Sequence, residues 1–222
     1  MNHSFLVDVD KKYKVIWIGD SGVGKTCLLT KSQKNFFDQE LKSTLGFEYY
    51  NITIKIKNKK ILLQTWDTCG QESFKCIVNM FYKRAKLAIL VYSIDNRKSF
   101  EGISFWLNEI RLNSDENIKL ILVGNKNDLS DKREVSFEEG QEFSKRNGFN
   151  FFFETSAKEG DTPSAVLSKA AEILYDYEIE SKKKNNKNDK NINDSEDTSF
   201  RLEEYSEKQN NKLGTTSCDD CI

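Results

Sequence analysis

The sequence predicts an α/β fold: a six-stranded, mostly parallel sheet with one antiparallel edge strand, flanked by about five helices. Three observations predict it. Short apolar runs alternate with helix-like stretches, which argues for parallel strands with helices on both faces. One neighbouring pair of runs is separated only by a polar tetrapeptide. A glycine-rich segment follows the first run without a gap.

The elements follow in order. Val15-Ile16-Trp17-Ile18 has the length and β-branching of a buried strand and centres a strand over 13–19, with a helix over 25–35 after the glycines. Strands over 47–57 and 60–67 come next. Ile52, Ile54 and Ile56 alternate with polar residues and Lys57-Asn58-Lys59-Lys60 supplies a turn, so this pair reads as an antiparallel edge hairpin. Then come a helix over 73–84, a strand over 87–94, a helix over 98–112, a strand over 118–124, a helix over 136–147 and a strand over 149–154. A last helix over 162–183 starts with Thr162 as N-cap and Pro163, the only proline, in its first turn. Its Val166, Leu167, Ala170, Ile173, Leu174 and Tyr177 share one face.

Composition narrows the function classes. The 222 residues suffice for one domain with a real core and a tail. Basic and acidic residues number 34 and 35, so no global field points to nucleic acid. Five cysteines without a paired framework, and no signal peptide, indicate a reducing compartment. No apolar run approaches bilayer-spanning length. The single histidine, His3, is too isolated for a metal or catalytic role.

Two segments carry the chemistry. Gly19-Asp20-Ser21-Gly22-Val23-Gly24-Lys25-Thr26 lies between strand and helix, the context a phosphate cradle requires. Its glycines let backbone N–H groups and a helix N-terminus face a polyphosphate. Lys25 adds a point charge toward the β- and γ-phosphates, and Thr26 puts a hydroxyl where Mg2+ would sit. Asn125-Lys126-Asn127-Asp128 follows the apolar run Leu120 to Val123 and emerges at a strand's carboxyl end, where open α/β sheets bind ligands. An aspartate there can accept from guanine N1–H and the 2-amino group. Adenine lacks that donor pair and would leave the carboxylate unpaired. Thr155-Ser156-Ala157-Lys158 follows another apolar run and can close over the base.

These residues resemble a Ras-superfamily small GTPase, most closely the Rab family, over roughly residues 11–180. Trp66-Asp67-Thr68-Cys69-Gly70-Gln71-Glu72 is similar to that family's WDTAGQE. Lys42-Ser43-Thr44-Leu45-Gly46 resembles the switch around its metal-binding threonine. Phe81-Tyr82-Lys83-Arg84-Ala85 and Leu90-Val91-Tyr92-Ser93-Ile94 match two further Rab segments. The resemblance implies a P-loop NTPase G domain that cycles between GTP and GDP with Mg2+ and recruits effectors in vesicle-mediated membrane trafficking. Intrinsic hydrolysis in the related Ras case is on the order of 10⁻⁴ to 10⁻³ per second and rises about 10⁵-fold with an activating partner.

By the same resemblance, Gln71, Lys25 and Thr44 form the catalytic set, with Gln71 orienting the attacking water. Thr26 and Thr44 ligate Mg2+ directly and Asp67 does so through water. The nucleotide contacts are Ser21, Gly22, Val23, Gly24, Lys25, Thr26, Cys27, Phe37, Thr44, Gly70, Asn125, Lys126, Asp128, Ser156, Ala157 and Lys158. Tyr49, Trp66 and Phe81 match aromatics that Rab proteins expose to effectors. For Phe37 a core position is the other reading, and for the three aromatics ordinary sheet packing is. The implied partners are an exchange factor, a GTPase-activating protein, effectors and a GDI or escort-type chaperone, acting on a monomer that binds no nucleic acid.

Departures from the pattern are specific. Cys69 replaces an alanine beside the γ-phosphate, either adding bulk that alters hydrolysis or serving as a tolerated small hydrophobe. Leu41 stands where many relatives place a tyrosine over the nucleotide. Asn2 breaks the N-myristoylation pattern, which disfavours the Arf branch. The expected organisation is an extension over 1–10, the G domain over 11–181 and a disordered tail over 182–222. That tail begins with lysines, turns Asn-rich and ends Cys218-Asp219-Asp220-Cys221-Ile222. Rab proteins carry two C-terminal cysteines for geranylgeranyl groups, and two chains give stable anchoring where one is marginal. Cys218 and Cys221 are thus the lipidation candidates, although the ending is neither CaaX nor a usual Rab one. This places the chain on the cytoplasmic face of an intracellular membrane, with a cytosolic pool. Competing readings are a P-loop ATPase or nucleotide kinase, opposed by Asn125 and Asp128, another branch such as Ras or Rho, and a soluble, unlipidated GTP-binding scaffold with little turnover.

Overall fold

The structure, a computed structural model, describes residues 9–34, 44, 46–68, 82–160 and 162–183. Six strands form one sheet: β1 (Lys11–Ile18), β2 (Phe47–Ile56), β3 (Lys59–Thr68), β4 (Leu87–Ser93), β5 (Lys119–Asn125) and β6 (Phe151–Glu154), in the order β2-β3-β1-β4-β5-β6. β2 pairs antiparallel with β3, and every other pairing is parallel. The expected edge hairpin is present and tighter than the sequence suggests. Lys57 and Asn58 both adopt positive φ, the primed two-residue turn that matches strand twist, so β3 starts at Lys59.

The described helices are α1 (Lys25–Lys34), α2 (Arg97–Glu101), α3 (Ile103–Asn113), α4 (Phe137–Arg146) and α5 (residues 162–183), with a 3₁₀ turn over Asn127–Lys132. The helix expected over 98–112 is two pieces meeting at Gly102. A Cβ there would stand 3.0 Å from the Asp20 carboxylate, so glycine eases the close approach of this joint to the loop after β1. β6 is shorter than expected because Asn150 uses its side-chain oxygen to accept from the Leu120 N–H, replacing a ladder bond. The helix expected over 73–84 lies almost wholly outside the described residues.

The parallel strands are buried on both faces, as continuous apolar runs require. On one face Val15, Trp17, Ile89 and Val123 pack with Leu28 and Leu29 of α1 and Val166, Leu167, Ala170 and Leu174 of α5. On the other, Ile16, Leu90 and Leu122 pack with Phe100 of α2 and Ile103, Leu107 and Ile110 of α3. Of the predicted apolar face of α5, Val166, Leu167, Ala170 and Leu174 are buried, joined by Ala171, and Ile173 and Tyr177 are half-buried. The chain divides into two compact units, Met1–Tyr175 and Asp176–Ile222. In the second unit α5 continues, with Ser181 donating to the Tyr177 carbonyl and Lys182 paired with Glu178. No described helix is long and apolar enough to cross a membrane.

Candidate functional site

All parallel strands point their carboxyl ends to one edge, and the candidate residues gather in the loops there. β1 delivers the glycine-rich loop, and α1 begins at Lys25 with no acidic residue in its first turn, which leaves its positive end open to an anion. Lys25 is 5 % exposed, and its Nζ donates to the carbonyls of Gly19 (2.8 Å) and Asp20 (2.9 Å). The ammonium is thus held inside the loop by two acceptors of that loop. Ser21 and Gly22 are exposed, Val23 is buried, and Cys27 packs partly against the core.

At the end of β3, Asp67 is fully buried. Its Oδ2 accepts from the Thr26 hydroxyl, and Thr44 lies 2.6 Å from the same hydroxyl. Thr26 spends its single proton on the carboxylate, so Thr44 is the donor between the two threonines. The other carboxylate oxygen, Oδ1, is buried without a partner. Burial pushes the Asp67 carboxyl up to about 6, against the Thr26 hydrogen bond and the Lys25 charge. Three residues 18 to 41 positions apart thus converge on one spot, with an orphaned anionic oxygen beside two hydroxyls. Such a set suits a hard cation that keeps waters and phosphates in its shell, and Mg2+ fits it. Among the described residues no group of three His, Cys, Asp or Glu offers a softer metal a home.

The second cluster is built on β5 and β6. Asn125, the last residue of β5, is 1 % exposed and donates through Nδ2 to the Val23 carbonyl at 2.7 Å. This bond ties the glycine-rich loop to the segment expected to read a base. Gly24, at φ +95°, is the neighbour that makes room, because a Cβ there would lie 2.4 Å from Asn125 Nδ2. Lys126 turns the chain through a left-handed conformation, φ 65°, and the Asn127 N–H then bonds the Thr155 carbonyl. Asp128 accepts from Ser156 Oγ at 2.5 Å, while that oxygen accepts the N–H groups of Lys158 and Glu159. Ser156 and Ala157 are buried and Lys158 is exposed. One side chain therefore orders its own loop and aims the carboxylate.

Tyr49 is 40 % exposed and Trp66 half-buried, with ring centroids 4.9 Å apart. Sequence reasoning missed Phe47, 49 % exposed and 5.6 Å from the Trp66 ring. It also missed the link from Trp106 of α3, whose indole N–H donates to Asp20 at 2.8 Å across 86 residues. The approach of Gly102 to the same carboxylate was the available clue. Phe37, Gly70, Gln71 and Phe81, together with Cys69, Leu41, Cys218 and Cys221, lie outside the described residues.

A doubly wound sheet with a glycine-rich loop after its first strand and a buttressed aspartate after its fifth has the plan of a guanine-nucleotide-binding switch. Comparison with known proteins leads to the same class: the Ras family matches residues 14–176. Ras-related protein Rab11D of Nicotiana tabacum is 41 % identical over 167 residues, 75 % of each chain. Ras-related protein Rab-11A of Dictyostelium discoideum is 40 % identical over 168 residues, 76 % of this chain and 78 % of its own. RABA4d of Arabidopsis thaliana is 43 % identical over 176 residues, 79 % and 78 % respectively. The chain belongs to the Ras family, in its Rab branch. It is accordingly a GTPase that acts as a Rab-type switch in membrane trafficking, and a scaffold without turnover is not favoured.

Proposed function

We propose that the described edge of the sheet binds GTP or GDP with Mg2+ in an assigned order of contacts, and that Thr44 reports which nucleotide is present. The observation that carries this is the convergence of Thr26, Thr44 and Asp67 beside Lys25. Thr26 and Thr44 would ligate Mg2+ directly and Asp67 through water, and the bound ion would neutralise charge on the β- and γ-phosphates. Lys25 exchanges its two loop carbonyls for phosphate oxygens. Asp128, oriented by Ser156, accepts from the guanine edge, while Asn125 holds the cradle against the base loop. Gln71 positions the water, and the Gly70 amide meets the γ-phosphate. When that phosphate leaves, Thr44 and Gly70 lose their shared partner, which supplies the switch.

Tyr49 and Trp66, with Phe81, form the effector surface, and Phe47 extends it. Apolar exposure of that size calls for a partner. An exchange factor, an activating protein and a GDI-type chaperone complete the cycle of a monomer whose domain, 11–181, carries a tail ending in prenylated Cys218 and Cys221 on a cytoplasmic membrane surface. Titration with a fluorescent GDP analogue, with ATP and GTP as competitors and with Mg2+ or chelator, tests the site. Displacement by GTP alone, weakened by chelation, is expected, whereas equal displacement by ATP overturns it. Prenyl mass on both cysteines of the native C-terminal peptide tests the anchor, and unmodified thiols remove it.

A further inference from the structure

The edge of the sheet opposite the nucleotide loops has a charge that the balanced composition conceals. Lys11 and Lys12 open β1, Lys59 and Lys60 open β3, Lys55 closes β2, and Lys57 follows it in the turn. Lys86 and Lys119 sit at the entries of β4 and β5, joined to that edge by the Lys86 N–H to the Lys14 carbonyl and the Lys119 N–H to the Lys86 carbonyl. Lys83 and Arg84 stand beside them, since Lys14 Nζ donates to the Lys83 carbonyl. Nine of these ten cations are exposed, and Lys119 is half-buried. Among the described residues at these strand entries the acids are Asp10, paired with Lys59, Asp115, paired with Lys86, and Glu116. Ten cations against three acids leave a formal charge of +7 here, so the rest of the chain, which totals −1, carries −8.

Three further features bear on what this pole meets. The five strand ends β2-β3-β1-β4-β5 span about 20 Å at the usual strand spacing, a broad face rather than a cleft. Nine of its ten cations are lysines, hydrated point charges on flexible stems that suit a diffuse layer of anions better than a shaped, bidentate site. The exposed aromatics Phe47 and Tyr49 lie at the other end of the β2-β3 hairpin, away from this pole. A groove of about 470 Å3 continues from Lys55 and Lys57 over Ile56 and Phe153 to the paired Lys169 and Glu172, adding an apolar floor beside the lysines. The Tyr175 ring lies 5.5 Å from Lys57 Nζ at this pole.

We propose that this pole is an electrostatic docking surface for an anionic lipid bilayer, which leaves the nucleotide edge and the Tyr49–Trp66 cluster facing the aqueous side. The inference deepens the membrane part of the reading above without needing lipid on the cysteines. Its failure therefore leaves the nucleotide switch standing.

The experiment is co-sedimentation of the full, unprenylated chain, loaded with GDP and Mg2+, with vesicles of phosphatidylcholine alone or mixed with about 30 % phosphatidylserine. Binding to the anionic vesicles only is expected, falling steeply from about 0.05 M to about 0.5 M salt. The variant Lys12→Gln/Lys55→Gln/Lys60→Gln/Arg84→Gln should bind roughly tenfold or more weakly. Lys98→Gln/Lys132→Gln, at the opposite edge, should stay within about twofold. Unchanged GDP affinity in both variants shows that the fold is intact. Equal binding to neutral vesicles, indifference to salt, equal loss in the Lys98/Lys132 variant, or preferential retention on duplex DNA or RNA at the same salt each overturns the proposal.

Discussion

Replacing Gly24 by alanine probes the bond between the cradle and the base-reading loop, and Gly22→Ala in the same loop supplies the reference. Both glycines have positive φ, +95° and +78°, so an alanine at either incurs about 1–2 kcal/mol of left-handed strain. Only at position 24 does the new Cβ meet an obstacle, Asn125 Nδ2 at 2.4 Å, while nothing lies within 4 Å at position 22. Asn125 must then abandon its 2.7 Å bond to the Val23 carbonyl inside the core, and an unmet buried polar group costs about 1–3 kcal/mol. The totals are about 2–5 kcal/mol for Gly24→Ala and about 1–2 kcal/mol for Gly22→Ala. Thermal melts of the nucleotide-free chain should differ accordingly, at about 2–4 °C per kcal/mol for a protein of this size. Fluorescent-GDP titration should show the larger loss at position 24 as well. A melt of Gly24→Ala no lower than that of Gly22→Ala would refute the coupling between the two loops.

Asp128→Ala removes two charge-assisted acceptors for guanine, each worth about 1.5–3 kcal/mol, so GDP affinity should fall about 10²- to 10⁴-fold. The same change at the nearby Asp131 should leave it intact, and comparable losses at both positions would discount base reading. Arg133 binds Glu154 through both guanidinium nitrogens, at 2.6 and 2.8 Å, and the glutamate side chain is 10 % exposed. Arg133→Met strands that carboxylate and should cost about 2–4 kcal/mol in urea unfolding, with Arg133→Met/Glu154→Met recovering most of it. The hydrogen bond from Arg97 is the main reason the Glu139 carboxyl sits below the ordinary value of 4.5. A carboxyl lowered by folding adds stability above that value and loses it as pH falls through the lowered one. Both partners are more than a third exposed, so the amplitude should stay under about 1 kcal/mol and vanish in Glu139→Gln. A larger acid-limb effect of that substitution would show the pair to be less solvated than its exposure indicates.

The sheet was legible because burial on two faces demands unbroken apolar runs. Leu87 to Ser93 is fully buried, and the alternation of Ile52, Ile54 and Ile56 marked the hairpin for the opposite reason, one face being open. The placement of Lys25, Thr26, Asn125 and Asp128 at the carboxyl ends of β1 and β5 was legible because each follows an apolar run at short spacing. What the pattern could not show depends on contacts between distant segments. Gly102 passes close to Asp20, which Trp106 also reaches, and Phe47 joins Trp66 only through the register of β2 against β3. The count of 34 basic and 35 acidic residues was blind to position, so the polarised edge emerged only once the register aligned the strand entries.

The bond from Asn125 to the Val23 carbonyl also governs how the two halves of a nucleotide are added together. If a phosphate orders the glycine-rich loop, Asn125 gains a fixed acceptor, and a base seated against Asp128 would steady Asn125 in return. Each half of the ligand would then raise the effective concentration of its own second half, as in a chelate. Free guanosine and free pyrophosphate should each bind weakly, and joining them should yield far more than the sum of their separate free energies. Breaking this one hydrogen bond should therefore weaken the joined nucleotide more than either half alone.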